Sequence, residues 1–414
     1  MLNYSKLVNQ KTKSLKKIMI SPIEEFLGFE QNIKRYMIMH LLGGGLLIYS
    51  SLTPIFMNKL GISIINAGLI FSLASVIDII FTYVLSKFLD RISPNVGMAI
   101  DWLTESIPPL IYTFATTSFH MLLGVFSTKI TNILNPVYKV YENEIFPEKQ
   151  RDLLYTYHLM LPEIFTIIFY PIIGFLLTYK YTFLNAFRVV FFICAVGYIF
   201  IAIIPYKALK WVEPIKISKK NLSIAIPKNL LNVAIAQICV LAAMNFTSPF
   251  ITSYFILEKI GGTVFNILML EVICSIFVII TGLYSKNLTL KIPRQKIAQY
   301  GVIIFIIYAF LLMITKNYIF VLIAFVFYAI GHTIWFPHHY SLLMEFVPKE
   351  SRGQFFGSMS AINKLFGACL PIISGILASK FGFFVPFGLV FVLFIIVYII
   401  YQRLINMELG DECN

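Results

Sequence analysis

Residues 56–80 read FMNKLGISIINAGLIFSLASVIDII, and residues 256–280 read ILEKIGGTVFNILMLEVICSIFVII. Each stretch leaves one apolar run, turns at Lys59-Leu60-Gly61 or Lys259-Ile260-Gly261, and enters a second run past Asn66 or Asn266, at an offset of 200 residues. The pairing extends outward. Ser86-Lys87 matches Ser285-Lys286 at an offset of 199. Pro136, Glu144, Pro147 and Arg151 match Pro337, Glu345, Pro348 and Arg352, and Gly174 matches Gly375, all at 201. Each match is weak alone, but they are collinear and fall at equivalent positions of successive runs, the signature of an internal repeat.

The runs are long enough to span a bilayer, which takes about 20 apolar residues. They lie at about 36–57, 66–88, 96–115, 119–141, 153–178, 185–206, 230–256, 264–285, 297–315, 318–343, 355–379 and 383–404. The chain is 58% hydrophobic and 13% charged, whereas soluble domains carry about 25% charged residues. Lipid offers backbone amides no partner, so the spans are helices; a barrel would show short alternating strands. The expected fold is an all-α membrane protein of twelve transmembrane helices. It divides into a basic N-terminal segment (1–35), a six-helix bundle (36–206), a linker (207–229), a second bundle (230–404) and a tail (405–414). Six is even, so the halves are parallel repeats related by an axis along the membrane normal.

A net charge of +13 raises the question of nucleic acid. The lysines, however, cluster in residues 1–35, in the linker (Lys207, Lys210, Lys216, Lys219, Lys220, Lys228) and in loops on the same side. That is the positive-inside pattern, and it puts both termini in the cytoplasm and the basic excess against anionic lipid. Nucleic acid is not an expected partner; membrane lipid is. The segment before Tyr36 reads either as a surface helix on the inner leaflet or as a disordered tail. The first span has no cleavage-site pattern and is not a signal peptide. Cys194, Cys239, Cys274, Cys369 and Cys413 show neither metal nor disulfide spacing. No phosphate-binding loop is present, so no nucleotide, metal or other cofactor is expected.

Ionisable groups inside spans are functional by default because they are expensive there. Asp78, Lys129, Glu163, His332 and Lys364 fall near mid-span, and Glu271 toward the outside. Lys129, Asn132 and Pro136 form a stripe at i, i+3, i+7. They read either as a site for an anionic or carbonyl-bearing solute or, for Lys129, as the ion-pair partner of Asp78. Glu163 follows the helix-loosening Pro162 and is repeat-equivalent to Lys364. It reads as a proton carrier, with a fixed lysine bridge as the alternative. Three acids against two lysines leave one carboxylate without a cation. Glu163 is the first choice for it and Glu271 the second. His332 and Trp335 share a face and read as cavity lining, with His338 and His339 as interfacial residues. Gln237 and Asn245 are further cavity candidates. Asp101 and Glu105 (i, i+4) are expected to turn toward the basic loops in a structural role. Gly43-Gly44-Gly45 reads as close helix packing or as backbone open to solute.

The loops Glu144…Pro147…Arg151 and Glu345…Pro348…Arg352-Gly353, with Asp90-Arg91 after the second span, resemble the major facilitator superfamily over residues 36–404. Around Asp90-Arg91 the family's glycines and basic pair are replaced by Ser86, Ser93, Pro94 and Asn95. The fifth-helix antiporter motif survives as Pro171…Gly174, and the fourth-helix arginine motif is not in register. The resemblance implies two bundles rocking about a central site. Helices 1, 4, 7 and 10 line it, helices 2, 5, 8 and 11 form the seam, and helices 3, 6, 9 and 12 face lipid. It also implies a gate in which Asp90 meets the start of helix 11 near Gln354, with Arg91, Arg151 and Arg352 in the gating loops.

The functional expectation is a secondary active transporter of a small solute, monomeric, driven by protons or another coupling ion. Family frequency leans to efflux of amphipathic compounds; the two buried lysines pull toward an anionic metabolite. A non-transporting receptor of the same fold is the rival class, and a membrane enzyme stands behind both. Compact loops and the Lys, Ile and Asn bias suggest a prokaryotic inner membrane.

Overall fold

The computed structural model describes residues 24–411 apart from 90–91, 135, 148–149, 214–230, 286–291 and 348–351. These residues form helices and no strand. The N-terminal half comprises α1 (Gln31–Leu46 continued by Ile48–Lys59), α2 (Ile64–Leu89), α3 (Pro94–Glu105 and Ile107–Phe114), α4 (Ser118–Thr131, a 3₁₀ turn Asn132–Leu134, then Pro136–Ile145), α5 (Arg151–Phe175, ending in a π turn Leu176–Lys180) and α6 (Leu184–Ile201 and Ile203–Lys207). The C-terminal half comprises α7 (Leu231–Phe246, Pro249–Tyr254 and a π turn Phe255–Ile260), α8 (Val264–Ser285), α9 (Arg294–Ile314), α10 (Tyr318–Phe346), α11 (Arg352–Phe381) and α12 (Phe384–Asp411). Among the described residues, ten of these rods are long and apolar enough to cross a membrane. The exceptions are α3, broken at Ser106, and α4, broken ahead of Pro136.

The breaks follow from the sequence. Proline lacks the amide proton and crowds the carbonyl four residues back, and ahead of Pro136 α4 tightens into the 3₁₀ turn Asn132–Leu134. The expected stripe Lys129–Asn132–Pro136 is therefore interrupted. In α7 the expected run 230–256 parts before Pro249, where Ser248 turns to an extended backbone. The repeat is visible in the turns: Gly61 and Gly261 both end their helices with positive φ, +76° and +71°, a conformation glycine alone adopts without penalty.

The halves meet along two seams, α2 on α11 and α5 on α8. The repeat-equivalent glycines sit in them. Gly375 of α11 lies against the Ile64 carbonyl of α2, and Gly174 of α5 against Phe265 and Leu268 of α8. At the end carrying the α1–α2 and α7–α8 turns the halves are also bonded to each other. Asn58 donates to Glu258 (2.9 Å), the Tyr254 hydroxyl to the Ile62 carbonyl (2.6 Å), and the Phe265 amide to Thr178 (2.8 Å). α3, α6, α9 and α12 turn apolar residues such as Leu103, Ile193, Ile307 and Val392 outward, as a lipid-facing surface requires.

Candidate functional site

Two cavities flank the break in α7, the first between the halves and the second within the C-terminal half, where Ser51 of α1 also reaches its lining. The first, about 370 Å³, is bounded by α1, α2, α4, α7 and α11 and presents Lys129, Asn245, Asn363 and Thr128 beside the rings of Phe71 and Phe250. The second, about 400 Å³, is bounded by α7, α8, α9 and α10 and presents Glu271, Cys274, Tyr328 and His332. Met244 and Pro249, flanking the break in α7, line both. The break thus places backbone and small side chains where an unbroken helix would have put a continuous wall.

At the α2–α11 seam, outside the lining of the first cavity, the Lys364 ammonium of α11 donates to the Asp78 carboxylate of α2 at 2.8 Å. Asp78 thus pairs with Lys364 and not with Lys129. Lys129 lines the cavity, and among the described residues it has neither a hydrogen bond nor an ion pair. Both Asp78 and Lys364 act on it electrostatically. Asn245 donates to Asn363 (3.1 Å) and lines the same cavity.

At the other seam the Ser275 hydroxyl of α8 meets the Glu163 carboxylate of α5. The same hydroxyl lies 2.9 Å from the Glu271 carbonyl one turn earlier. Ser275 has one proton for two acceptors. A proton on Glu163, donated to Ser275, would satisfy all three oxygens at once. Glu271 opens into the second cavity. Among the described residues neither Glu163 nor Glu271 has an ion-pair partner, so the lysine bridge considered for Glu163 is not the arrangement found. The sequence count expected one acid without a cation; the structure leaves two, because Lys129 turns to the cavity.

The other expected residues divide. His332 lines the second cavity, stacked between Tyr328 (5.9 Å) and Phe336 (5.4 Å). Trp335 lines neither cavity. It is 2% exposed, stacks on His339 at 4.4 Å and donates to Tyr401 at 3.2 Å. Three residues advance a helix by 300°, which is enough to aim Trp335 at α9 and α12. His338 and His339 are buried, not interfacial. Gln237 is buried in α7, outside both linings, with its side-chain oxygen unpartnered among the described residues. Asp101 and Glu105 do turn inward, but to hydroxyls and not to basic loops. Tyr138 donates to Asp101 (2.6 Å), and Tyr49 and Thr131 donate to Glu105 (both 2.7 Å). Gly43, Gly44 and Gly45 are filled by Trp102, Pro162 and Phe165, so they serve packing. Asp90 and Arg91 lie outside the described residues. Arg151 and Arg352 open α5 and α11; their side chains, and that of Asn132, also lie outside. Ser275 and Asn363 were not expected; a hydroxyl or amide in a span carries no signal of its own until its neighbour is known.

The family model of the major facilitator superfamily matches residues 36–233 and again 233–408. Solved structures share the fold at low identity. A bacterial homologue of the human lysosomal transporter Spinster, inward-facing and occupied, superposes with a TM-score of 0.68 at 13% identity, covering 91% of this chain and 97% of that one. The nucleoside transporter NupG gives 0.68 at 12%, covering 90% and 99%. A bacterial homologue of the iron transporter ferroportin, inward-facing, gives 0.69 at 9%, covering 90% and 98%. No curated protein matches the chain in sequence. With its two six-helix repeats and a family match over nearly the whole length, the chain belongs to the major facilitator superfamily.

Proposed function

We propose that this protein is a proton-coupled secondary transporter whose cargo is a small organic anion with an apolar body, moved by alternating access. The single observation that carries this reading is Lys129. It is an ammonium without a protein partner among the described residues, and it faces a cavity shared by both halves. A cation kept in a low-dielectric cavity attracts a carboxylate or similar anion strongly. Phe71 and Phe250, stacked at 5.2 Å across α2 and α7, offer apolar contact beside it. The structural relatives are named for chemically unlike cargo, a nucleoside and iron among them, so the cargo class is read from this cavity and not from theirs.

Coupling is assigned to Glu163 with Glu271, the two carboxylates without cations at the α5–α8 seam. A carboxylate in apolar surroundings accepts a proton and releases it when the site opens to water. Efflux of amphipathic compounds is the favoured direction; the mixed ring-and-amide lining of the first cavity supports the amphipathic part of it. Both termini are assigned to the cytoplasm. Thiol labelling of Lys59→Cys from outside and Lys219→Cys from inside tests that, and labelling of both from one side defeats it.

The direct test is a ligand-stabilisation screen of purified protein with organic anions and their neutral amides, followed by flux in proteoliposomes. Stabilisation by the anions and not the amides, lost in Lys129→Ala, supports the reading. Equal stabilisation by both, or binding without flux, would favour the receptor class.

A further inference from the structure

The N-terminal bundle contains a second group of ionisable side chains, distinct from both cavities. Glu142 of α4 is 4% exposed. It accepts a hydrogen bond from the Tyr36 hydroxyl of α1 at 2.8 Å, and His158 Nδ1 of α5 faces it at 3.6 Å. The His158 ring meets the His40 ring of α1 edge-on, 4.3 Å between centroids. His40 in turn packs on Tyr36 (4.6 Å), Tyr138 of α4 (5.3 Å) and Trp102 of α3 (5.8 Å). His158 Nδ1 and His40 Nε2 are buried without a hydrogen-bond partner among the described residues.

We infer that His40, His158 and Glu142 form a proton-binding site inside the N-terminal half, joining α1, α4 and α5. A neutral imidazole carries one N–H, and 3.6 Å is beyond hydrogen-bond length. Glu142 is bonded by the hydroxyls of Tyr36 and Tyr155, while His158 Nδ1 and His40 Nε2 have no bonded partner among the described residues. One proton on the histidine pair makes both nitrogens of one ring donors and turns the His158–Glu142 contact into a charge-assisted bond. The groups facing the site from each element are Tyr36 and His40 (α1), Asp101 beside Trp102 (α3), Tyr138, Lys139, Tyr141 and Glu142 (α4), and Tyr155 and His158 (α5). Lys139 acts on Glu142 as well, but through space along its own helix and not as a bonded partner. A metal is the other class of ligand for two histidines and a carboxylate; among the described residues no three such groups converge closely enough to hold one. His158 is 23% exposed along its side chain, so the site is not sealed inside the bundle.

The site also has a mechanical reach. α1 and α5 touch where Gly44 meets Pro162, and Glu163 is the next residue. Drawing α1, α4 and α5 together at one end of that contact bears on the helix that carries Glu163. The inference stands on the cluster itself and does not depend on the cargo or on Glu163.

Trp102 reports on the site, because a charged imidazole beside an indole quenches its emission and a neutral one does so far less. The chain has three tryptophans, so Trp211→Phe with Trp335→Phe leaves Trp102 alone, clear of the His339 stack. In that full-length protein, in nanodiscs, Trp102 emission falls about twofold as the pH is lowered from about 8 to about 4. His40→Gln removes the fall. Glu142→Gln moves its midpoint toward acid by about one unit, since the carboxylate is what favours the charged ring. Proton uptake by the unsubstituted protein, followed with a pH dye, is the second readout and needs no variant to fold. Emission that stays constant with pH while the protein remains monodisperse overturns the inference. So does a midpoint that Glu142→Gln leaves unmoved.

Discussion

At repeat-equivalent positions of the two seams stand opposite charges, Glu163 in α5 and Lys364 in α11. Their surroundings differ as much as their signs. Lys364 reaches across its seam to a carboxylate, Asp78, at 2.8 Å, and both charges are held. Glu163 reaches across its own seam to a neutral hydroxyl, Ser275, beside a second carboxylate in Glu271. Ionising both acids would place like charges together in low dielectric with no cation between them. One seam thus holds a paired charge, and the other, to which we assign proton exchange, sets two carboxylates beside a neutral hydroxyl. A repeat that duplicates a contact need not duplicate its chemistry.

The comparison breaks first at Glu163. Glu163→Gln fixes the neutral form of the proton-exchanging seam. Accumulation of the anion against its gradient and its response to a pH difference are expected to vanish, while exchange at equal concentration persists. Proteoliposome uptake with and without a pH step measures both. Unchanged pH-driven accumulation removes Glu163 from the coupling role and with it the contrast between the seams.

The next effect belongs to the held pair. Removing one member of a buried ion pair strands the other, and Asp78→Asn is expected to cost about 3 kcal/mol, the lower end of the usual range, because 23% of the Lys364 side chain is exposed. Thermal unfolding in detergent reads this loss. Asp78→Lys combined with Lys364→Asp is expected to recover most of it. A fully stable Asp78→Asn would mean that the α2–α11 seam does not depend on its charges.

Lys129 sharpens the contrast from the cavity side. Lys129→Ala is expected to weaken binding of an anionic ligand by about 10- to 100-fold, the worth of one charge-assisted bond of about 1.5–3 kcal/mol. Binding of a neutral analogue should be little changed. Isothermal titration against the matched pair checks this, and equal losses for both would assign Lys129 to structure.

The smallest effect concerns the two glycines. A Cβ at Gly375 would stand 2.9 Å from the Ile64 carbonyl oxygen, backbone against backbone. At Gly174 the nearest atoms are 3.3 Å away, and one is the flexible end of Leu268. Gly375→Ala is therefore expected to destabilise by about 1–2 kcal/mol from overpacking and Gly174→Ala by under about 1 kcal/mol, both read by thermal unfolding. The reverse order would show that the α5–α8 seam is the tighter of the two.

Much of the architecture was legible in the chain itself. Span number, helical form and the parallel repeat follow from local rules, because lipid forces backbone bonds to close within each segment and because matched turns at Gly61 and Gly261 need no knowledge of neighbours. Pro136 and Pro249 are local signals too, but the expected spans 119–141 and 230–256 ran through both, and the consequence for the Lys129 stripe depended on where the chain resumed. The ionisable residues inside spans were visible for the same reason: their cost is set by the bilayer and not by their partners. His40 and His158 also lie within spans but drew no reading from the sequence; only their proximity to each other and to Glu142 gives them meaning.

What the chain alone did not decide is pairing. Asp78 had two lysines within its reach, and the choice of Lys364 over Lys129 is made by the packing of α2 on α11, 286 residues apart in sequence. Trp335 looked like cavity lining because its helix faces the cavity, yet its own azimuth sends it to Tyr401. Composition, period and turn chemistry are properties of a segment and survive in the sequence. Which side chain meets which, and hence which charge is held and which is left to a proton or a solute, depends on the rotation and depth of helices packed against one another, and those are fixed only when the two halves close.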